Sequence, residues 1–236
     1  METEKSLVIN GLTIEKGERK QLEIVIAKLY DHTDITIPVE VIRGKEDGPV
    51  MFVSGAIHGD EINGVESIKR LLSRKKILSS IKGTLIAVPI VNVFGFNRNL
   101  RYLPDRRDLN RTFPGSKNGS LASRIAHVFM KEIVMKCQYG IDLHTGSAHR
   151  FNLPQVRGCL DNPEVEKLAK AFGVPVILNS NMKYFNIFTM LVVTYLLTIL
   201  FMISSGIFWM YMFIYESIGN VLSWTNKKLA IAVIWS

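Results

Sequence analysis

Cysteine is nearly absent from this 236-residue chain: Cys137 and Cys159 stand in unrelated contexts. Two such residues exclude a disulfide framework and point to a reducing compartment. No run of five or more basic residues occurs, and basic residues do not alternate with aromatics. The formal net charge of +8 therefore describes solvated faces, and nucleic acid is not an expected partner. No apolar stretch follows Met1-Glu2-Thr3-Glu4-Lys5, so no secretory signal is expected and the compartment is read as cytoplasmic. Charge itself is missing from one end. Residues 184–236 hold only Glu216, Lys227 and Lys228 as charged side chains. The same segment lacks Asp, Arg, His, Pro, Gln and Cys, yet contains all three tryptophans. A shift this abrupt divides the chain into a domain at 1–183 and an apolar C-terminal segment at 184–236.

Within 1–183 the patterning alternates. Leu22–Ala27 and Ile35–Ile42 are rich in β-branched residues and read as strands, separated from the next apolar run by the turn at 44–49. Val50–Ser54, Thr84–Val91, Tyr139–Leu143 and Val174–Leu178 read as buried strands. Helical spacing marks Asp60–Arg74, Ser120–Lys136 and Pro163–Phe172, the last opening with proline. Strands alternating with helices predict an α/β fold, a mostly parallel or mixed sheet flanked by helices. In such sheets ligands bind beyond the carboxyl ends of the strands.

Two polar segments fall at such ends. Gly55-Ala56-Ile57-His58-Gly59-Asp60-Glu61 follows one apolar run, and Asp142-Leu143-His144-Thr145-Gly146 closes another. Two imidazoles and a carboxylate are the three-protein-ligand set of a catalytic zinc site with a fourth position for water. His58 and Glu61 share one turn, while His144 stands 83 residues after Glu61, on a separate strand. Asp142, two residues before His144, is placed to orient an imidazole. The other histidines, His32, His127 and His149, sit in a turn, a helix and a loop and are not read as ligands.

Between the two segments runs an irregular stretch, residues 97–115, with arginine at positions 98, 101, 106, 107 and 111. Arginine binds carboxylates with two parallel hydrogen bonds. Beside a zinc ion such a loop would hold an acidic substrate and polarise its carbonyl.

Taken together, Gly55–Glu61, Arg101-Tyr102-Leu103-Pro104-Asp105 with Asp108-Leu109-Asn110-Arg111, and Asp142–Gly146 resemble the succinylglutamate desuccinylase/aspartoacylase family, which is related to the zinc carboxypeptidases. The resemblance runs from about residue 20 to about 180. It implies that His58, Glu61 and His144 bind one zinc ion per chain. It implies that Asn110 and Arg111 hold a substrate carboxylate, and that Arg101, or alternatively Arg107, polarises the carbonyl. The implied reaction is hydrolysis of an N-acyl amino acid or a related amide or ester, with zinc-bound water as nucleophile.

The resemblance fades near Asn179–Lys183. Family members carry a catalytic glutamate beyond the third ligand. Here Glu216 is the only carboxylate side chain after Glu166, and it lies at the edge of the apolar segment. Three further expectations follow. A protein lacking that base would bind zinc and acidic ligands without turnover. The same ligands with Arg111 would also serve a carboxypeptidase. The segment 184–215, 32 residues without charge, is a membrane-span candidate, expected to be helical. An altered gene end would give it the same look.

Overall fold

The computed structural model describes residues 6–146, 150 and 152–180. A short antiparallel hairpin, β1 (Leu7–Ile9) and β2 (Leu12–Ile14), leads into a mixed five-stranded sheet. Its strands are β3 (Arg19–Lys28), β4 (Asp34–Arg43), β5 (Val50–Gly55), β6 (Thr84–Val88) and β7 (Tyr139–Leu143), in the spatial order β3-β4-β6-β5-β7. Strands β6, β5 and β7 run parallel to one another, whereas β3 and β4 form an antiparallel ribbon whose β4 pairs antiparallel with β6. A second, two-stranded parallel sheet joins β8 (Gln155–Gly158) to β9 (Val176–Asn179).

Helices cover both faces of the main sheet, as the alternation of apolar runs predicts. Helix α1 (Asn63–Ser73) follows β5 and presses Ile68 against Val53, Ala87 and Leu143. The one-turn α2 (Lys75–Leu78) continues from it, and α3 (Val93–Asn97) follows β6. On the opposite face α4 (Leu121–Glu132) places Ile125 and Phe129 among Ile24, Ile37, Val39, Phe52 and Ile86. The ring of Phe129 stands edge-on to Phe52 at 5.8 Å, a favoured arrangement of two aromatic quadrupoles. Leu22, Ile24 and Ile26 of β3 are buried while Gln21, Glu23 and Val25 are exposed, the period of two that a half-covered strand requires. Helix α5 (Pro163–Ala171) packs on the small sheet and starts as predicted, with Pro163 in its first turn and Asn162 accepting a hydrogen bond from Glu164 N.

The expected α/β architecture is therefore present, with particular adjustments. The helix expected from Asp60 starts at Asn63, because residues 58–61 first close a turn through Glu61 N to His58 O at 3.1 Å. The long helix expected over Ser120–Lys136 ends at Glu132 and resumes as a 3-10 turn at Val134–Lys136, which hands the chain to β7. Strand β6 stops at Val88 rather than Val91, and β9 begins at Val176. The segment 184–236, including Glu216 and the span candidate 184–215, lies outside the described residues, as does His149. Among the described residues no helix is long and apolar enough to cross a membrane.

Candidate metal centre

Parallel pairing sets the site. In the register of β5 with β7, Gly55 lies opposite Leu143, so both strands release their chains at the same edge. The chain leaving β5 bends at Ala56, whose φ of +47° is in the left-handed region. The backbone carbonyls of Gly55 and Ala56 are held by Val91 N and Asn92 N, at 3.1 and 2.9 Å. That bend delivers His58 and Glu61, and β7 delivers His144 beside them. His58, Glu61 and His144 are all buried, with one ligand atom from each lying within 4.8 Å of the others.

Glu61 is the centre of the cluster. Its Oε1 lies 2.8 Å from His58 Nδ1 and accepts from Arg101 Nη1 at 3.0 Å. Its Oε2 lies 2.8 Å from His144 Nδ1 and accepts from Thr145 N at 3.0 Å. Each imidazole has a second carboxylate at its far nitrogen. His144 Nε2 is 2.6 Å from Asp142 Oδ2, and His58 Nε2 is 3.1 Å from Asp108 Oδ1. Asp142 accepts in turn from Ser54 Oγ at 2.8 Å, a residue directly opposite it in the register. Asp108 accepts from Arg101 Nη2 at 3.1 Å and from Asn110 N at 2.9 Å.

Electrostatics follows from these neighbours. Burial alone would raise the Glu61 carboxyl, but hydrogen bonds and charge from His144 and His58 hold it down at about 2. Burial alone would lower the His144 imidazole, but Asp142 and then Glu61 raise it to about 10. For Asp108 the burial penalty is likewise outweighed, chiefly by the charge of His58 and its hydrogen bond, with Arg101 adding to the lowering.

The donor set fits a zinc ion. Two imidazole Nδ1 atoms and a carboxylate meet in a buried spot, and each imidazole is steered through its other nitrogen by an aspartate. That is how metal-ligating histidines are held, since the far contact fixes the ring and leaves the near nitrogen for the ion.

Arg101 joins the cluster directly. Arg107, the alternative, is exposed and lies 4.0 Å from Asp105. Asn110 and Arg111 form a 3-10 turn with Leu109, immediately after Asp108, and the Arg111 side chain is exposed. An open cavity of about 390 Å³ shares Arg101 with the cluster; Arg98, Tyr102 and Arg106 also line it, whereas His58, Glu61, His144, Asn110 and Arg111 do not. The sequence reading placed Asp142 behind an imidazole. It did not single out Asp108 behind His58, Ser54 behind Asp142, or the Thr145 amide on Glu61. A lone serine in the apolar run Val50–Ser54 was the available signal for Ser54. Asp108 stands in the motif Asp108–Arg111, but nothing in that motif shows that it meets His58 across 50 residues.

The class this defines is an α/β protein with a buried His-Glu-His cluster, able to hold a metal ion, at the carboxyl edge of its parallel strands. Within it the assignment is direct. The model of the succinylglutamate desuccinylase/aspartoacylase catalytic domain matches residues 47–194, more than half of the chain, and the chain belongs to that family. The resemblance read from the three motifs is borne out. N-α-acetyl-L-2,4-diaminobutyric acid deacetylase of Halomonas elongata is 33% identical over 147 residues, which are 60% of this chain and 42% of that protein. An aspartoacylase family protein from Mesorhizobium loti superposes with a TM-score of 0.70 at 20% identity, covering 98% of this chain and 66% of its own. A succinylglutamate desuccinylase/aspartoacylase from Rhodobacter sphaeroides gives 0.63 at 25% identity, covering 74% and 56%. The chain thus spans less than half of the Halomonas protein and at most about two thirds of these structures.

Proposed function

We propose that this chain is a zinc-dependent deacylase that hydrolyses an N-acyl amino acid or a related amide or ester. The observation that carries the reading is the convergence of His58, Glu61 and His144, with Arg101, which also lines the cavity, reaching the same carboxylate. His58, Glu61 and His144 would hold the ion. Zinc, when bound, supplies a Lewis acid for the acyl carbonyl and lowers the pKa of water to near neutrality. Asp108 and Asp142 keep the two imidazoles aimed. Arg101 places a positive charge beside the carbonyl, where negative charge develops during attack. Asn110 and Arg111 bind the substrate carboxylate, Arg111 with a planar fork suited to it. Arg98 and Arg106 make that cavity cationic, in keeping with a small acidic substrate. The acetylated amino acid in the name of the Halomonas relative supports the same substrate class. The division into 1–183 and 184–236 rests on composition and belongs to this proposal, as does any membrane insertion through 184–215.

Elemental analysis and a hydrolysis panel test the reading on full-length protein. Stoichiometric zinc and turnover of N-acyl amino acids are expected, both lost in His144→Ala. Folded protein that binds no zinc would sink it. One observation favours a second reading, zinc and ligand binding without turnover. Among the described residues the cluster's carboxylates, Glu61, Asp108 and Asp142, each already hold a histidine, so none is left to move a proton as general base. Zinc-loaded protein that binds substrate yet leaves the whole panel intact would favour that second reading.

A further inference from the structure

We propose that Asn92 is a positioning residue that sets Arg101 against the His58–Glu61–His144 cluster; the assignment rests on the role given to Arg101 above. Asn92 is fully buried, at the point where the chain leaves β6 and enters α3. Its carbonyl accepts from Phe96 N at 2.9 Å inside α3, and its N–H groups reach outward. Its backbone N–H donates to Ala56 O at 2.9 Å, on the bend that delivers His58. Its Oδ1 accepts from Gly95 N at 2.8 Å and so caps α3. Its Nδ2 donates to the Arg101 backbone carbonyl at 3.3 Å. One residue therefore ties the histidine loop to the arginine loop.

The packing around it gives this tie little slack. Gly59, next to His58, lies so close to Gly95 that a Cβ on it would fall 2.0 Å from the Gly95 carbonyl carbon. A Cβ on Gly95 would lie 2.5 Å from Asn92 Nδ2 and 2.6 Å from Leu100 O. The histidine loop, α3 and the segment entering Arg101 are stacked backbone on backbone. Leu100 N further bonds to Gly95 O at 2.9 Å. Arg101 then has one free choice, its side-chain direction, and this is taken up by Glu61 and Asp108. A displacement of its carbonyl would be passed to the guanidinium, and misplacements near 1 Å can lower a rate by roughly 100-fold.

A buried asparagine at a helix start would serve as a cap whatever lay beyond it, so the test separates the cap from the tether. Asn92→Asp keeps an oxygen for Gly95 N and removes the N–H that holds Arg101. Asn92→Ser also keeps a capping oxygen but is too short to span to Arg101, and it carries the test if the aspartate variant does not fold. In full-length protein both variants are expected to retain stoichiometric zinc and to shift or broaden the Arg101 Nε–Hε resonance in ¹⁵N spectra. kcat is expected to fall about tenfold with little change in KM. In an Arg101→Ala background the same Asn92 substitution should change kcat less than about twofold, since its route to the reaction is gone. An unmoved Arg101 resonance overturns the assignment, as does an equal loss of kcat in both backgrounds. If the parent chain shows no turnover, the deacylase reading fails and the Arg101 resonance alone decides the role of Asn92.

Discussion

The two imidazoles of the cluster are supported differently. His144 and its aspartate lie two residues apart at the end of β7, and Asp142 is pinned to Ser54 on the neighbouring strand. On that side the register of β5 with β7 sets Ser54 against Asp142, and side-chain contacts then carry the order on to His144. His58 is backed by Asp108, which comes from the arginine-rich stretch 50 residues away and also holds Arg101 and the Asn110 amide. One side is a rigid mount, and the other couples the candidate ion site to the segment proposed to bind substrate. A site built this way can keep its metal geometry in the sheet while the loop on the other side sets what is bound.

The largest expected effect removes what both sides share. Glu61→Gln takes the charge from between the imidazoles, and stoichiometric zinc should be lost by elemental analysis; a folded variant that keeps its zinc would show that the centre lies elsewhere. Next, the two aspartates should part company. Asp142→Ala and Asp108→Ala should each weaken zinc binding about 10- to 100-fold, measured by chelator competition. At saturating zinc only Asp108→Ala should also lower turnover, by roughly tenfold, because Arg101 loses an anchor. Equal behaviour of the two would erase the contrast.

Protons probe the mount more gently. In metal-free protein Glu61 ionises near 2 instead of the usual 4.5, so its contribution to stability is complete above pH 4.5 and is lost as pH falls toward 2. His144 keeps its proton to about 10 instead of 6.5, so its contribution is complete below pH 6.5 and is lost as pH rises toward 10. Thermal melts of chelated protein should therefore be flattest between pH 4.5 and 6.5. Because a ligating imidazole must be neutral, zinc affinity should rise with pH, and zinc uptake should release a proton. Calorimetry in buffers of different ionisation enthalpy measures that release; its absence would mean that His144 is not displaced from its proton by the ion. The smallest effect belongs to Ser54→Ala, about 1 kcal/mol of stability by denaturant titration, with zinc affinity changed less than Asp142→Ala changes it.

Sequence patterning reached the parts of the molecule governed by local periodicity. Strand β7 matches its expected limits at Tyr139–Leu143, and α5 differs from expectation by one residue at its end. The three candidate ligands were legible because each stands just past an apolar run, where parallel strands deliver their chains together. The arginine stretch was legible as an anion-binding loop, polar and irregular, but its local structure was not. Its 3-10 turn at Leu109–Arg111 and the nearby α3 are too short to show a helical period, and α3 contains Gly95. Asp108 and Asn92 were out of reach for a different reason. Their partners lie 50 and 36 residues away for His58 and Ala56, and nothing in the flanking sequence encodes such a meeting. In the small sheet β9 falls within the strand expected at Val174–Leu178 and one residue beyond it, whereas its partner β8, four residues long, was not expected.

Strand pairing at β5 and β7 also makes the centre sensitive to length in a way it is not to chemistry. Ser54, Asp142 and His144 act together because the register aligns Ser54 with Asp142 and because side chains two apart share a face. Adding or deleting one residue within 139–143 would turn Asp142 and His144 toward opposite sides of the layer, or carry both away from Glu61, with composition almost unchanged. A library of single-codon insertions through this strand should thus abolish metal binding more uniformly than any conservative replacement of its apolar residues.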